Sequence, residues 1–254
     1  MSEGHVAKAR LSEARSNLVV MKFGGTSVED AAAMLRTAAI VRGRRERGLG
    51  AVVVVSAMAK VTDLLLAAAA AAGRGDKAGA LLIAARLRHR HIETAAELLC
   101  GELFTSVEAA MQLEFDSLDD LLRGIAAVGE LTPRTSDNVV SFGERLSSRM
   151  VAAAFEQNDL KGAHVDARTC IVTDGHYGKA APQEAAIEAK LAVLVLPLVE
   201  QGLTPVMGGF IGATEEGITT TLGRGGSDYT AALVGGGLHA GAIEIWTDVN
   251  GIMK

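Results

Sequence analysis

Short apolar runs alternate along the chain with longer segments in which apolar residues recur every three or four positions. LVVMKF at 18–23 and AVVVVSA at 51–57 are nearly continuous apolar runs bordered by small residues, which is typical of buried parallel strands. GAHVDA at 162–167, PVMGGFIG at 205–212 and AIEIWTD at 242–248 are further strand candidates. The pattern therefore predicts five strands.

The segments between these runs have the spacing of amphipathic helices. Met34, Ala38 and Val41 share one helical face after the first strand. The clearest apolar stripe, which we assign to the core, consists of Val107, Met111, Phe115, Leu118, Leu122 and Ile125. Further helices are predicted at 62–72, 79–100, 107–129, 143–155 after the capping segment TPRTSDN (132–138), 183–200 and from Asp228 onward.

Alternating strands and helices predict an α/β layer fold with a mainly parallel sheet, in which ligands bind beyond the carboxyl ends of the strands. We find no internal repeat and no domain boundary, and we treat 1–17 as a polar leader and 18–254 as one domain. With 49% hydrophobic residues, the 254-residue chain can build a substantial core.

A net charge of −5 argues against nucleic acid as the main partner and favours a small molecule. Cys100 and Cys170 form no C-x-x-C pair, so we expect a reducing cytoplasm rather than a disulfide framework or a zinc site. His89 and His91 do not share a helical face, and we propose no metal site there. The polar opening segment lacks the apolar core of a signal peptide, and no membrane partner is expected.

The first candidate site is KFGGTS at 22–27, which follows the first strand. Gly24 and Gly25 would let backbone amides approach an anion near a helix N-terminus, and Lys22 would supply a mobile cation. This arrangement would suit a phosphate group, although the lysine precedes the glycines, unlike the Walker A lysine. The alternative is a tight turn with a surface lysine.

Two further turns carry polar side chains. Ser56 and Thr62, after the second strand, could offer hydroxyl groups to a ligand, while Thr62 or Asp63 could instead cap the following helix. Glu144 lies with Gly143 at the predicted start of a helix, where stabilisation by the helix dipole is the competing explanation.

The turn GRGGSD at 223–228 has the groups needed to bind an amino acid. The planar fork of Arg224 could hold a carboxylate in two hydrogen bonds, and Asp228 could hold an ammonium group. The alternative is a helix cap made by Ser227 or Asp228 beside an unrelated surface arginine. Thr247 and Asp248, at the end of the last predicted strand, could contact a nucleotide.

Taken in order, these motifs resemble the catalytic domain of aspartate kinases in the amino-acid kinase family. The resemblance is carried by KFGGTS, VVVSAMAKVTDLL, SFGERLSS, GFIG, TTTLGRGGSDYTAA and WTDVNGIM. It implies a three-layer αβα sandwich around a mainly parallel sheet. It also implies transfer of the ATP γ-phosphoryl group, with Mg²⁺, to the side-chain carboxylate of L-aspartate. The product, 4-phospho-L-aspartate, leads to lysine, threonine and methionine.

The resemblance also assigns roles to residues. The phosphate positions implied are Lys22, Gly24, Gly25 and Ser56. The aspartate positions implied are Thr62, Glu144, Arg224, Gly225, Gly226, Ser227 and Asp228. The nucleoside positions implied are Thr247, Asp248 and Met253. Lys22 and Asp228 are the expected catalytic residues, and a homo-oligomer is compatible with the family.

Two other functions remain open: a kinase for glutamate or N-acetylglutamate, and a non-catalytic fragment that binds an amino acid. In the family the domain continues beyond the position of Lys254 and is usually followed by ACT regulatory domains. From the resemblance we expect the domain to be incomplete at this end, without an ACT domain, and the isolated chain to bind ATP weakly and to turn over slowly or not at all.

Overall fold

The computed structural model describes residues 17–247, and seven strands lie within this range. In chain order they are β1 (Leu18–Phe23), β2 (Gly50–Val55), β3 (Gly162–Val165), β4 (Thr204–Gly208), β5 (Ile211–Ala213), β6 (Thr219–Thr221) and β7 (Ala242–Trp246). Five of them form a sheet of order β3-β4-β2-β1-β7 in which every neighbouring pair is parallel. β5 and β6 form a separate antiparallel pair. The predicted parallel sheet is confirmed.

Helices connect these strands. They are α1 (Ala31–Arg45), α2 (Val61–Gly73), α3 (Lys77–Leu98), α4 (Gly101–Val128), α5 (Pro133–Gln157), α6 (Glu184–Leu194), α7 (Leu196–Glu200) and α8 (Gly226–Gly237). Two 3₁₀ turns occur at Gly25–Val28 and Ala167–Thr169. No helix within residues 17–247 has both the length and the apolar character needed to cross a membrane.

The two faces of the sheet bury two different cores. Val19, Met21 and Phe23 point toward α1–α5, whereas Val20 and Val54 point toward α6–α8 and the β5–β6 pair. Because successive strand residues face opposite sides, an uninterrupted apolar run such as β1 supplies both cores at once. This arrangement is the expected three-layer αβα sandwich.

The apolar stripe predicted in α4 is entirely buried, so its assignment to the core is confirmed. The helix itself begins at Gly101, earlier than predicted, because the residues before Val107 continue the helix without a proline. The single helix predicted at 183–200 is in fact two helices. α6 ends at Leu194 and α7 begins at Leu196, with Pro197 in its first turn. Proline lacks the amide proton that an unbroken helix would need there.

The strand predicted at 205–212 is in fact two strands in different sheets. β4 ends at Gly208, and Phe210 adopts a left-handed backbone conformation with φ of 65° before β5 begins. The apolar pattern continues through this corner, so it did not reveal the change of direction. The threonines of β6 were not predicted as a strand.

The segment TPRTSDN was predicted to precede a helix, and most of it is inside one. Thr132 is the N-cap of α5, its hydroxyl accepts a hydrogen bond from the Thr135 amide, and Pro133 is the first helical residue. Proline tolerates this position because its missing amide proton has no partner in the first turn of a helix. Glu144 therefore lies about three turns inside α5, and the helix-dipole explanation for it is wrong.

Acid should destabilise the fold through His91, which lies on α3 with none of its surface exposed. Burial lowers the pKa of His91 from 6.5 to about 4. Between pH 6.5 and pH 4, His91 therefore carries a proton in the unfolded chain and carries none in the folded chain. Stability is then lost as the pH falls from about 6.5 toward 4. The limiting loss is about 3 kcal/mol. Urea unfolding at a series of pH values measures the slope of the unfolding free energy against pH, and this slope should be smaller in His91→Leu than in the wild type.

His89 provides the control because it lies on the same helix with its side chain 75% exposed, next to Glu93. His89→Leu should leave the slope unchanged. Burial also lowers the pKa of His164 to about 4 and raises the pKa of Glu144 to about 8, and these two shifts act on stability in opposite directions in this pH window, so the test is the difference in slope between the wild type and His91→Leu. An unaltered slope in His91→Leu would contradict the prediction.

Candidate active site

A cleft lies at the carboxyl edge of three adjacent strands, β4, β2 and β1. Its volume is about 300 Å³, which is at the lower end of the range for small-molecule sites. The residues that line it are Lys22, Ser56, Thr62, Glu144, Phe210, Gly223, Arg224, Gly225, Gly226, Ser227 and Asp228. Chain segments far apart in sequence therefore place cations, carboxylates and hydroxyl groups around one small volume.

Most of the residues predicted for phosphate and amino-acid binding line this cleft, whereas Gly24, Gly25 and Thr247 do not. Thr247 follows β7, whose end is paired with the end of β1 through Trp246 and Phe23. Asp248 and Met253 lie outside the residues that the structure describes.

Gly24 and Gly25, which follow β1, contact the end of β7 and the segment that follows β2. The Gly24 amide donates a hydrogen bond to the Trp246 carbonyl at 3.3 Å, so it connects the 3₁₀ turn to β7. A Cβ atom on Gly25 would lie 2.9 Å from the carbonyl oxygen of Ala57, which is too close for any other residue. The close approach of two loops therefore explains glycine at position 25 without any ligand.

Lys22 and Asp228 form an ion pair across the cleft. Lys22 Nζ lies 2.8 Å from Asp228 Oδ1, and the side chains are 11% and 56% exposed. β1 directs the lysine toward the layer that contains α8, and Asp228 is in the first turn of that helix. The two residues predicted to be catalytic are therefore in direct contact, and the charge of Lys22 is balanced by Asp228.

Glu144 is the most deeply buried acid in the cleft, with 3% of its surface exposed. Its Oε1 accepts a hydrogen bond from the Ala57 amide at 3.2 Å, while Oε2 has no hydrogen-bond partner among the described residues. Burial raises the pKa of this carboxyl group to about 8, and backbone hydrogen bonds, chiefly the one from Ala57, only partly offset the effect. A cationic group bound in the cleft would supply the missing partner.

Arg224 lies in a turn that precedes α8. Gly225 occupies the N-cap position with φ of 76°, a conformation that favours glycine, and no side chain caps the helix. The alternative in which Ser227 or Asp228 caps the helix is therefore wrong, and the helix begins at Gly226 rather than Asp228. Arg224 is exposed and forms no ion pair with another residue in the range 17–247.

Ser56 and Thr62 are the two hydroxyl-bearing residues predicted after β2. Lys60 is the N-cap of α2, with φ of 68° and no side-chain cap, so the interpretation that Thr62 or Asp63 caps this helix was wrong. Ser56 is held by its backbone: its amide donates to the Phe23 carbonyl, and its carbonyl accepts from the Ser147 hydroxyl at 2.8 Å.

Sequence reasoning missed Phe210 and Ser147. The ring of Phe210 lines the cleft because its left-handed backbone turns the chain between β4 and β5. The two glycines before it were the available signal, since a glycine pair inside a strand often marks a bend. Ser147 is three residues after Glu144, on the same face of α5, and this spacing was its only sequence signal.

Comparisons with known proteins identify the family of the chain. The model of the amino acid kinase family matches residues 17–254. Lysine-sensitive aspartokinase 3 of Escherichia coli (strain K12) is 36% identical over 255 residues, which cover 93% of this chain and 50% of that protein. The aspartokinase of Chlamydia muridarum is 33% identical, covering 92% of this chain and 48% of that protein.

Solved structures show the same fold. The crystal structure of E. coli aspartokinase III in complex with aspartate and ADP has a TM-score of 0.83 and 35% identity, covering 92% of this chain and 50% of that chain. The aspartate kinase of Clostridium acetobutylicum, at 23% identity and a TM-score of 0.71, supports the fold alone. The chain spans about half the length of the curated relatives it matches.

Proposed function

The chain belongs to the amino acid kinase family, and we propose that it is an aspartate kinase. It transfers the γ-phosphoryl group of ATP to the side-chain carboxylate of L-aspartate, and the products are 4-phospho-L-aspartate and ADP. The E. coli relative whose structure contains aspartate and ADP supports this proposal. The reaction would be the first step toward lysine, threonine and methionine, and we place it in the cytoplasm.

The observation that carries the proposal is the pairing of Glu144 and Arg224 in one cleft. Glu144 offers a buried carboxylate oxygen with no hydrogen-bond partner among the described residues, and Arg224 offers a guanidinium that forms no ion pair within that range. An amino acid brings an ammonium group for the first and a carboxylate for the second. Its side-chain carboxylate would then extend toward Lys22, with Thr62 and Ser56 lining the cleft.

The chemistry needs little covalent participation from the protein. An oxygen of the aspartate side chain attacks the γ-phosphorus, a new O–P bond forms, and the bond to the β-γ bridging oxygen breaks, so that ADP leaves with its electron pair. The attacking carboxylate is ionised near neutral pH, and no general base is required. Catalysis then consists of holding two anions in line and offsetting their charge, which we assign to Lys22.

We propose that Mg²⁺ enters with ATP, bound to its phosphate oxygens. Mg²⁺ in kinases is held largely by substrate phosphates and water, and a dedicated protein cage is not needed. Residues 17–247 contain no group of three or more His, Cys, Asp and Glu side chains placed to hold a metal ion. We propose that Gly24, Gly25, Ser56 and Thr247 face the nucleotide.

The decisive test is ADP release by the purified chain with Mg-ATP and L-aspartate, run beside L-glutamate and N-acetylglutamate. Calorimetric titration with each acid alone should be run in parallel. Release that depends on aspartate supports the proposal. Release with another acid instead would identify a kinase for that metabolite. Aspartate binding without ADP release from folded protein would indicate a non-catalytic binding fragment, and neither binding nor release would refute the proposal.

Aspartate binding should weaken as the pH falls below about 8. The raised pKa of Glu144 keeps this group protonated below that value in the free protein, whereas the bound ammonium requires the carboxylate, so binding releases a proton. The affinity should then fall by up to about tenfold per pH unit. Calorimetric titrations at pH 6, 7 and 8 would measure this slope.

Two variants make the pH experiment specific. Glu144→Gln should bind aspartate more weakly and show a flat pH profile, because the amide cannot ionise. Glu130→Gln changes an exposed carboxylate between α4 and α5, and it should retain the wild-type slope. A constant wild-type affinity from pH 6 to 8 would contradict the proposed contact between Glu144 and the ammonium group.

A further inference from the structure

We propose that Asp137 is a positioning residue for the amino-acid site. Its buried carboxylate attaches the strand that leads into the Arg224 turn to the same helix that carries Glu144. It thereby sets the separation between the two groups that are proposed to hold the α-carboxylate and the ammonium. This inference rests on the proposed function for its ligand, and on the described contacts for its geometry.

Both oxygens of Asp137 are used. Oδ2 accepts hydrogen bonds from the Gly178 amide at 2.8 Å and from the Thr221 amide at 2.9 Å, and Oδ1 accepts from the Thr221 hydroxyl at 2.9 Å. The side chain is buried, with 3% of the residue exposed. Hydrogen bonds to a charged acceptor are stronger than neutral ones, and in a buried setting they are costly to lose.

These bonds connect the two halves of the proposed aspartate site. Asp137 and Glu144 are seven residues apart on α5, which places them on one face of the helix and about 10 Å apart along its axis. Thr221 ends β6 and precedes Arg224 by three residues. The intervening Leu222 is held as well, because its amide donates to the Phe210 carbonyl at 2.9 Å. Little freedom remains between Asp137 and the guanidinium-bearing turn.

A neighbouring loop strengthens this connection. The amide of Ala180 donates to the Thr221 carbonyl at 2.8 Å, so both backbone groups of Thr221 are engaged. The carbonyl oxygen of Gly178 lies 3.2 Å from the position that a Cβ atom on Gly223 would occupy. The loop that Asp137 holds through Gly178 is thus packed directly against the turn that precedes Arg224.

The chemistry of the contacts calls for aspartate at position 137. A single oxygen, Oδ2, receives two amide protons while Oδ1 receives a hydroxyl proton. Asparagine has one oxygen and one NH₂ group: with its oxygen toward the two amides, its NH₂ group can donate to the Thr221 hydroxyl, whereas the reverse orientation sets the NH₂ group against both amide donors. The substitution Asp137→Asn keeps the size of the side chain and replaces a charged acceptor with a neutral one, which weakens the hydrogen bonds of the connection.

The test compares Asp137→Asn and Thr221→Val with Thr204→Val. Thr221 and Thr204 are both buried, and each hydroxyl donates a hydrogen bond of 2.9 Å, but the Thr204 bond to Leu160 lies at the opposite edge of the sheet. Thr204→Val therefore controls for the loss of a buried hydroxyl. The readouts are KM for aspartate, KM for ATP, kcat, and amide hydrogen exchange over 219–226 without ligand.

We expect Thr221→Val to raise KM for aspartate by about tenfold, and Asp137→Asn to raise it as well, because a neutral acceptor makes weaker hydrogen bonds than a carboxylate. KM for ATP should change by less than about twofold, and exchange over 219–226 should become faster. Thr204→Val should change neither KM for aspartate nor exchange in this segment. Where Asp137→Asn fails to fold, the comparison of the two threonine variants decides the question.

The inference is overturned when Thr221→Val matches Thr204→Val in KM for aspartate and in exchange over 219–226. It is also overturned when Asp137→Asn and Thr221→Val lower the affinity for aspartate and the affinity for ATP alike, which would mark general destabilisation. A wild-type chain that neither binds nor phosphorylates aspartate would refute the proposed function. The exchange measurement, which uses no ligand, would still test the connection made by Asp137.

Discussion

Lys22→Met is expected to lower kcat for ADP release by a factor of about 10³ while the fold remains intact. The side chain is 11% exposed and extends into the cleft from the end of β1. In the proposed reaction its ammonium offsets the charge that accumulates on the transferred group. This stabilisation is strongest in the transition state, so its loss should appear mainly in kcat.

Stability should change little, because the partner of Lys22 is well solvated. Asp228 is 56% exposed, so its carboxylate can be hydrated once the lysine is gone, and the substitution leaves no unpaired charge buried. Methionine retains the length and apolar stem of lysine. The measurement is the initial rate of ADP release at saturating Mg-ATP and aspartate, together with urea unfolding.

Lys190→Met is the control, since Lys190 is an exposed lysine on α6 away from the cleft. It should leave kcat unchanged. A Lys22→Met chain that turns over at the wild-type rate would show that the cation near the transferred group is supplied by another residue or by the metal. A lost rate together with a lost fold would contradict the expectation for stability.

The second large effect concerns Arg224, whose replacement by alanine should weaken aspartate binding by about 100-fold. A guanidinium can hold a carboxylate through two parallel hydrogen bonds, and removing such a charged pair costs about 3 kcal/mol. Arg224 is exposed and forms no ion pair among the described residues, so the fold should not depend on it. Arg224→Lys should recover only part of the affinity, because a point charge lacks the planar fork.

A ligand lacking one group makes this test specific. β-Alanine keeps the amine and the distal carboxylate of aspartate and lacks its α-carboxylate. Wild-type protein should bind β-alanine much more weakly than aspartate, whereas Arg224→Ala should bind the two with similar affinity. Calorimetric titration measures all four affinities and requires no ATP. Retained discrimination in Arg224→Ala would show that another group binds the α-carboxylate.

The control for Arg224 is Arg36→Ala, which removes an exposed arginine from α1. Its aspartate affinity should equal that of the wild type. Lys22→Met and Arg224→Ala should also differ from each other, since the first acts on kcat and the second on binding. Equal effects of both on kcat and on affinity would contradict the separate roles proposed here.

The central strands and the main helices could be predicted from local pattern. β1 is bounded at Leu18 and Phe23, as the apolar run indicated, and the stripe on α4 is buried. Glycine-rich turns at strand ends were also visible, and a parallel sheet brings such turns to one edge. Lys22 and Arg224 could therefore be expected at one edge of the sheet, whereas the resemblance to aspartate kinases placed Glu144 beside them.

The sequence by itself thus determined the layer architecture, because burial and helical or strand periodicity are local properties. The types of group at the cleft came from the glycine-rich turns and from the resemblance to aspartate kinases. Tertiary structure alone decided the state of each group. The hydrogen bond from Ala57, the burial that raises the pKa of Glu144, and the ion pair between Lys22 and Asp228 all involve partners distant in sequence. The same holds for Asp137, which sequence reasoning assigned to a capping segment, because a buried carboxylate is defined by the donors around it.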